Sequence, residues 1–361
     1  MGTPPTVVLA GGGTAGHIEP ALAVGEVLRD QHHATVVALG TPKGLETSIV
    51  PARGFELRLI DPVPVPRKQP LKLIGLPFKV AKSVSQARHV LKDTGADIVF
   101  GTGGYVAASA YLAAASLRLP FFVLETNALA GMANKLGVRL GGSGFNAVAG
   151  SGMEGDVIGI PVRPTVGADE DGEKARRGFK TWDLDPERKT VLVTGGSQGA
   201  VNLNNAMVEA VPRLVAAGYQ VLHAYGQKND APHPHDHYVA VPYINDMSAA
   251  LAVADIVVCR SGAMTVAENS AAGLPAIYVP LPHGNGEQGL NSAHLVEAGA
   301  ARTIRDEDLD ATVLAEAVIA ILDNPATYNK MRSALRDSGA GNVAATLADK
   351  LVAASKQETK N

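Results

Sequence analysis

Two short apolar runs in this chain each break into a glycine-rich turn. Residues 6–10 lead into Gly11-Gly12-Gly13-Thr14-Ala15-Gly16-His17, and residues 190–194 lead into Gly195-Gly196-Ser197-Gln198-Gly199. Each pattern reads as a buried strand, a tight turn and the start of a helix. Glycine at such a turn lets backbone N–H groups come close to an anion, and the helix N-terminus adds a partial positive charge. One such turn is common. Two of them, one opening each half of a 361-residue chain, predict two separate α/β domains.

The flanking pattern agrees. In the first half, strand-like runs at 6–10, 35–39, 98–101 and 121–124 alternate with helical stretches at 20–31, 71–92 and 106–117. In the second, strands at 190–194, 220–224, 238–241, 256–259 and 276–279 alternate with helices at 202–217, 247–252, 265–272 and 288–298. Strands separated by helices pair in parallel through right-handed crossovers, and their ligand loops gather at the carboxyl ends. Pro161-Val162-Arg163-Pro164 reads as a hinge, giving domains 1–163 and 164–361. The last helical segment, 343–356, has no strand left to pair with, and packing back on the N-terminal domain is an option it leaves open.

Composition narrows the function classes. With 46% hydrophobic and 19% charged residues the chain can bury a core in each domain, and its net charge of −3 offers no global attraction to nucleic acid. A single cysteine excludes an intrachain disulfide framework and fits a reducing cytoplasm. The start, Met1-Gly2-Thr3-Pro4-Pro5, lacks the basic flank and apolar region of a signal peptide. The longest apolar stretch, 105–124, carries Arg118 and Pro120, so it reads as a buried helix followed by a strand rather than a membrane span.

The candidate chemistry lies on the loops after the strands. His17, on the first glycine turn, is the candidate base; the bland alternative is a helix cap. Pro20 is expected in the first helical turn, where its missing N–H costs little. Ser197 satisfies a Gly-x-Ser-x-Gly nucleophile elbow, with Asp255 and His283 downstream, so an esterase competes with a phosphate-binding hydroxyl. After the strand at 256–259, Ser261 and Gly262 can form a turn, Thr265 can cap a helix, and Glu268 can accept hydrogen bonds from a ribose diol or merely close a capping box. Gln288 and Asn291 can donate to sugar hydroxyls, and Glu125 with Asn127 suits sugar recognition, against ordinary loop polarity. The basic and apolar stretch 67–82, with Lys72, Leu73, Ile74, Leu76, Phe78, Lys79 and Lys82, can dock on an anionic lipid surface or be an amphipathic helix packed on the sheet. Cys259 reads as an inert buried thiol, and the His233-Pro234-His235-Asp236-His237 loop as solvent-exposed rather than metal-binding.

Taken in order, the 11–17 turn with Pro20, Gly44-Leu45-Glu46, Gly103-Gly104-Tyr105-Val106, Asn127 with Ala133-Asn134-Lys135, Pro161-Val162-Arg163, the 195–200 turn and Cys259-Arg260-Ser261-Gly262-Ala263 with Thr265 and Glu268 resemble the MurG family of bacterial glycosyltransferases over nearly the whole chain. That resemblance implies an α/β fold of GT-B type, two Rossmann-like domains facing each other across a cleft. It implies an inverting, metal-independent transfer, without cofactor, of N-acetylglucosamine from UDP-GlcNAc to the C4 hydroxyl of the muramyl sugar in lipid I. It sets Thr14, Ala15 and Gly16 by the donor and acceptor phosphates, Asn127 by the sugar and Arg163, Ser197 and Ile244 by the nucleotide, with Tyr105, Glu125, Asn134 and Gln198 among the substrate-binding residues. Ala263, Met264, Thr265, Val266 and Glu268 fall by the phosphates and ribose, and Gln288 by the GlcNAc hydroxyls. The implied partners are UDP-GlcNAc, lipid I, the cytoplasmic face of the cell membrane and cell-wall synthesis or division proteins, with no nucleic acid. A UDP-GlcNAc epimerase on the same fold is the related alternative.

Overall fold

In this computed structural model, residues 4–63, 75–167, 169–196, 199–282, 286–337 and 342–358 are described. The chain forms two compact units, Met1–Arg163 with Asn342–Asn361, and Pro164–Gly341.

In the first unit β1 (Thr6–Gly11), α1 (Ala15–His32), β2 (Thr35–Gly40), α2 (Glu46–Ala52), β3 (Glu56–Leu59), α3 (Leu76–Asp93), β4 (Ile98–Gly103), α4 (Gly104–Leu117), β5 (Phe121–Glu125), α5 (Met132–Arg139), β6 (Ser143–Asn146) and β7 (Asp156–Val157) follow one another. The strands form one parallel sheet in the order β3-β2-β1-β4-β5-β6-β7. A parallel sheet covered by helices on both faces needs strands that are apolar on both sides. β1 meets this need, with Val7 and Leu9 in one core cluster and Val8 and Ala10 in the other. The order reverses between β1 and β4, and in sheets of this kind ligands bind at the carboxyl ends of the strands beside such a switch point.

The second unit runs through α6 (Glu173–Trp182), β8 (Thr190–Thr194), α7 (Val201–Ala216), β9 (Gln220–Ala224), β10 (Tyr238–Val241), α8 (Met247–Val253), β11 (Ile256–Cys259), α9 (Ala263–Ala271), β12 (Ala276–Tyr278), α10 (Glu287–Glu297), β13 (Ala301–Thr303), α11 (Ala311–Leu322) and α12 (Pro325–Asp337). Its sheet is also parallel, in the order β10-β9-β8-β11-β12-β13, so its switch point lies between β8 and β11. The final helix, α13 (Val343–Glu358), returns to the first unit, where Leu347 and Leu351 join the core beside Leu22 and Leu28 of α1.

The structure amends several expectations. Pro20 is the sixth residue of α1, not part of its first turn, so its ring removes an interior hydrogen bond to the Gly16 carbonyl. Thr265 lies inside α9, whose N-cap is Gly262. The helix expected at 71–92 is described from Leu76, and residues 71–74 lie outside the described residues. No helix among the described residues is long and apolar enough to cross a membrane.

Candidate functional site

At the switch point of the first unit, the turn after β1 makes Thr14 the N-cap of α1 with no side-chain cap, which leaves Thr14 and Ala15 exposed and Gly16 and His17 half-buried in the first turn. His17 Nδ1 lies 3.3 Å from the Gly12 carbonyl oxygen and 3.2 Å from Thr14 Oγ1. A carbonyl can only accept, so this contact requires the proton on Nδ1 and leaves the lone pair on Nε2. The backbone is pinned as well, because the Thr102 hydroxyl donates to the His17 carbonyl at 2.6 Å. From β4, Gly103 approaches the other side of the ring. A Cβ built there would lie 2.9 Å from His17 Cδ2 and 3.0 Å from Nε2, and the backbone has φ +115°. Only glycine gives this close approach at so low a conformational cost.

A second cluster surrounds the end of β5. Glu125 is buried, and its carboxylate accepts from Asn127 N at 2.9 Å, Asn127 Nδ2 at 3.4 Å, Gly131 N at 2.9 Å and Asn134 Nδ2 at 2.9 Å. Asn134 is also buried; it donates to the Leu124 carbonyl and accepts from the Tyr111 hydroxyl at 3.0 Å. These two side chains are spent on each other, and what they leave toward solvent is the half-buried Asn127. Tyr105, the second residue of α4, is 48% exposed at the same sheet end. Arg163 is anchored on α1, with its Nε 3.8 Å from Glu19 Oε2.

In the second unit Ser197 and Gln198 lie outside the described residues, as does His283. The flanking turn is held by a buried polar chain. Tyr238 OH is 2.7 Å from His223 Nδ1, and His223 Nε2 is 3.1 Å from Asn204 Oδ1. Asn204 and Asn229 both donate to the Tyr225 carbonyl at 2.8 Å, directly under Gly199. Burial pushes the His223 imidazole down to about 4. α9 begins at Gly262 without a side-chain cap, so its first N–H groups face outward as anion donors. Ala263 and Val266 are buried; Met264, Thr265 and Glu268 are half-buried on the same helix. Ile244 is buried in the core, so only its backbone can address a base. The oxygen of Gln288 accepts from Leu281 N at 3.0 Å, and Asn291 donates to the Ser261 carbonyl at 3.2 Å.

Sequence reasoning missed the clamp made by Arg260. Its guanidinium donates to the Val279 and Pro280 carbonyls at 3.1 and 3.2 Å and pairs with Asp306 at 2.5 Å, tying the loop after β12 to the turn after β11. An arginine directly after a strand was its only signal.

The acid of the esterase alternative is out of place. Asp255 precedes β11 and accepts from Thr190 N at the start of β8, whereas residue 197 follows the end of β8. The four steps along β8 separate its two ends by about 13 Å, too far for Asp255 to join a triad beyond the strand's end. Cys259 is a buried thiol, raised to about 12 by its burial. Among the described residues no group of three or more His, Cys, Asp or Glu could hold a metal ion.

On the candidate lipid-facing segment, Lys72, Leu73 and Ile74 lie outside the described residues. At the start of α3, Phe78 is 80% exposed beside an exposed Lys79 and a half-buried Leu76. Lys82 is exposed but pairs with Asp61 at 2.6 Å. Leu76, Pro77, Val80, Ala81, Val84 and Leu112 line an apolar groove of about 550 Å³.

Residues 7–141 match the glycosyltransferase family 28 N-terminal domain, and residues 190–350 match the glycosyltransferase family 28 C-terminal domain. A UDP-N-acetylglucosamine--N-acetylmuramyl-(pentapeptide) pyrophosphoryl-undecaprenol N-acetylglucosamine transferase of Corynebacterium glutamicum is 61% identical over 352 residues, covering 98% of this chain and 99% of that one. The protein of the same name from Rhodococcus jostii is 49% identical over 353 residues, covering 93% and 92%. The crystal structure of Acinetobacter baumannii MurG aligns with a TM-score of 0.75 at 28% identity, over 96% of this chain and 99% of that one. With both sheets, both uncapped helix starts and full-length similarity in agreement, the chain belongs to the MurG family of N-acetylglucosaminyltransferases, a family of two Rossmann-like domains of the GT-B type.

Proposed function

We infer that this chain transfers N-acetylglucosamine from UDP-GlcNAc to the C4 hydroxyl of the muramyl sugar of undecaprenyl-pyrophosphoryl-MurNAc-pentapeptide, lipid I, giving lipid II. The 61% identity over nearly the full length of a transferase so named carries the reading. The local geometry supplies a chemistry for it. With Nδ1–H directed at the Gly12 carbonyl, His17 offers Nε2 as the base. The acceptor hydroxyl gives its proton to Nε2 as its oxygen attacks the anomeric carbon. The bond from that carbon to the β-phosphate oxygen breaks, and its electron pair leaves with UDP, inverting the centre. The uncapped N–H groups at the starts of α9 and α7 suit the charge that develops on the departing diphosphate.

By this reading the first unit serves the acceptor and the second the nucleotide donor. Thr14, Ala15 and Gly16 lie at the helix start beside His17, where a pyrophosphate would be favoured. Tyr105 and Asn127 contact the acceptor sugar, and Glu125 and Asn134 hold the loop that presents Asn127. Arg163, Ile244, Ser197, Gln198, Ala263, Met264, Thr265, Val266, Glu268 and Gln288 serve the donor. Phe78, Leu76 and Lys79 meet the anionic membrane surface in which the lipid acceptor is anchored. This sets the enzyme peripherally on the cytoplasmic face of the membrane.

His17→Ala tests the reading. Turnover should fall by about 10²- to 10⁴-fold, the usual worth of a positioned general base, with UDP-GlcNAc affinity retained. Unchanged turnover would remove His17 from the mechanism.

A further inference from the structure

Glu46 is the first residue of α2 and its side chain is fully buried. Gly12, Gly40 and Gly44, from three different points of the chain, make room for it: a Cβ on any of them would lie within 3.1 Å of its side chain. Its Oε1 accepts from Thr41 N at 2.8 Å and Thr41 Oγ1 at 2.9 Å, and its Oε2 accepts from Gly13 N at 3.2 Å. Burial alone would favour the neutral acid. The N–H groups of Glu46 itself, Thr41 and Gly13 and the Thr41 hydroxyl reverse this and hold the carboxyl below its ordinary range, so it is ionised at neutral pH.

The N–H of Gly13 and the C=O of Gly12 belong to one peptide group. That group is trans, so the two point to opposite sides. On one side stands the Glu46 carboxylate, and on the other His17 Nδ1, 3.3 Å from the Gly12 oxygen. A carboxylate accepting from a peptide N–H polarises that peptide and makes its carbonyl a stronger acceptor. This is the carboxylate–imidazole arrangement that fixes a tautomer and stabilises imidazolium, with one peptide group inserted between its members.

We propose that Glu46 is a positioning residue for the transfer reaction, acting through the Gly12–Gly13 peptide group to keep the proton of His17 on Nδ1 and to stabilise the charge the ring acquires when Nε2 takes the acceptor proton. The proposal rests on His17 being the base. It also changes the meaning of the first glycine turn: the Gly13 N–H serves an internal carboxylate, and the donors left for a ligand's phosphate begin at the α1 helix start.

The test combines 15N spectroscopy of His17 with kinetics. In the unsubstituted protein the relay requires the Nδ1–H tautomer; a predominant Nε2–H tautomer overturns it without any variant having to fold. Glu46→Gln keeps the shape and removes the charge. It should lower kcat by about 10- to 100-fold, the usual scale for a partner that orients a catalytic ligand, with KM for both substrates held and the Nε2–H tautomer gaining population. A raised KM with unchanged kcat and tautomer would make Glu46 a loop-shaping residue only and overturn the proposal. His17→Ala separates the two levels. If it loses turnover while Glu46→Gln does not, the relay fails and the base stands; if it keeps turnover, the base reading itself has failed.

Discussion

Gly103→Ala places a methyl group against the working face of His17. The new Cβ would sit 2.9 Å from Cδ2 and 3.0 Å from Nε2, where carbon contacts normally settle at about 3.5–4.0 Å, so the ring must retreat by roughly half an ångström or more. The ring has little freedom to do so while Nδ1 keeps its Gly12 and Thr14 partners. Even without retreat, the methyl occupies the space through which a hydroxyl would reach Nε2. The backbone adds its own cost, because φ +115° with ψ −178° is a region reserved for glycine and worth about 1–3 kcal/mol to an L-residue. Gly141→Ala isolates that second cost: it has φ +96° in the same unit and nothing within 4 Å of a built Cβ. Gly103→Ala should lose at least as much thermal stability as Gly141→Ala, the excess being the cost of the clash with His17. Under saturating substrates, UDP release by Gly103→Ala should fall by about 10²-fold or more, toward the 10⁴-fold ceiling of a lost general base, while Gly141→Ala turns over nearly as the parent does. Equal turnover in the two variants would refute the placement of the reacting face at Nε2.

Two further outcomes follow from other parts of the molecule. The His223 imidazole, held near 4 by burial, takes its proton in the unfolded chain first, at about 6.5. Stability should therefore be full above about pH 6.5 and fall by about 1.4 kcal/mol per unit below it, roughly 3 kcal/mol by pH 4. Urea unfolding at several pH values should show this slope, and a His223→Gln protein that keeps the whole acid loss would contradict it. At the start of α3, Phe78→Ser with Lys79→Glu should reduce co-sedimentation with anionic vesicles; unchanged binding would return that surface to ordinary solvent exposure.

The strands legible in the sequence are those with an apolar run, buried throughout in β8, β9 and β11 and mostly half-buried in the edge strand β10. β8, β9, β10 and β11 have the bounds that apolar runs at 190–194, 220–224, 238–241 and 256–259 predict. β3 was invisible because an edge strand reading Glu-Leu-Arg-Leu is half polar and mostly exposed, and β6, Ser-Gly-Phe-Asn, has little strand propensity of its own. α11 went unassigned although its start carries a capping residue, the Asp310 side chain, which accepts from Val313 N at 2.8 Å. At the site, glycine turns and His17 stand out locally. The work of Glu46, Glu125 and Asn134 does not, because each is defined by hydrogen bonds to loops that meet only after the sheet has formed. The return of α13 to the first unit is likewise a matter of long-range packing, since its apolar face would fit any exposed sheet.

The central claim is that sugar transfer to a lipid-linked acceptor is this chain's reaction. UDP release from UDP-GlcNAc, measured with and without the undecaprenyl-pyrophosphoryl-MurNAc-pentapeptide acceptor, addresses it most directly. The account predicts release that depends on the acceptor and is matched mole for mole by the disaccharide-lipid product. Release in the acceptor's absence, conversion of UDP-GlcNAc to another sugar nucleotide, or donor binding with no release when the acceptor is supplied would contradict it.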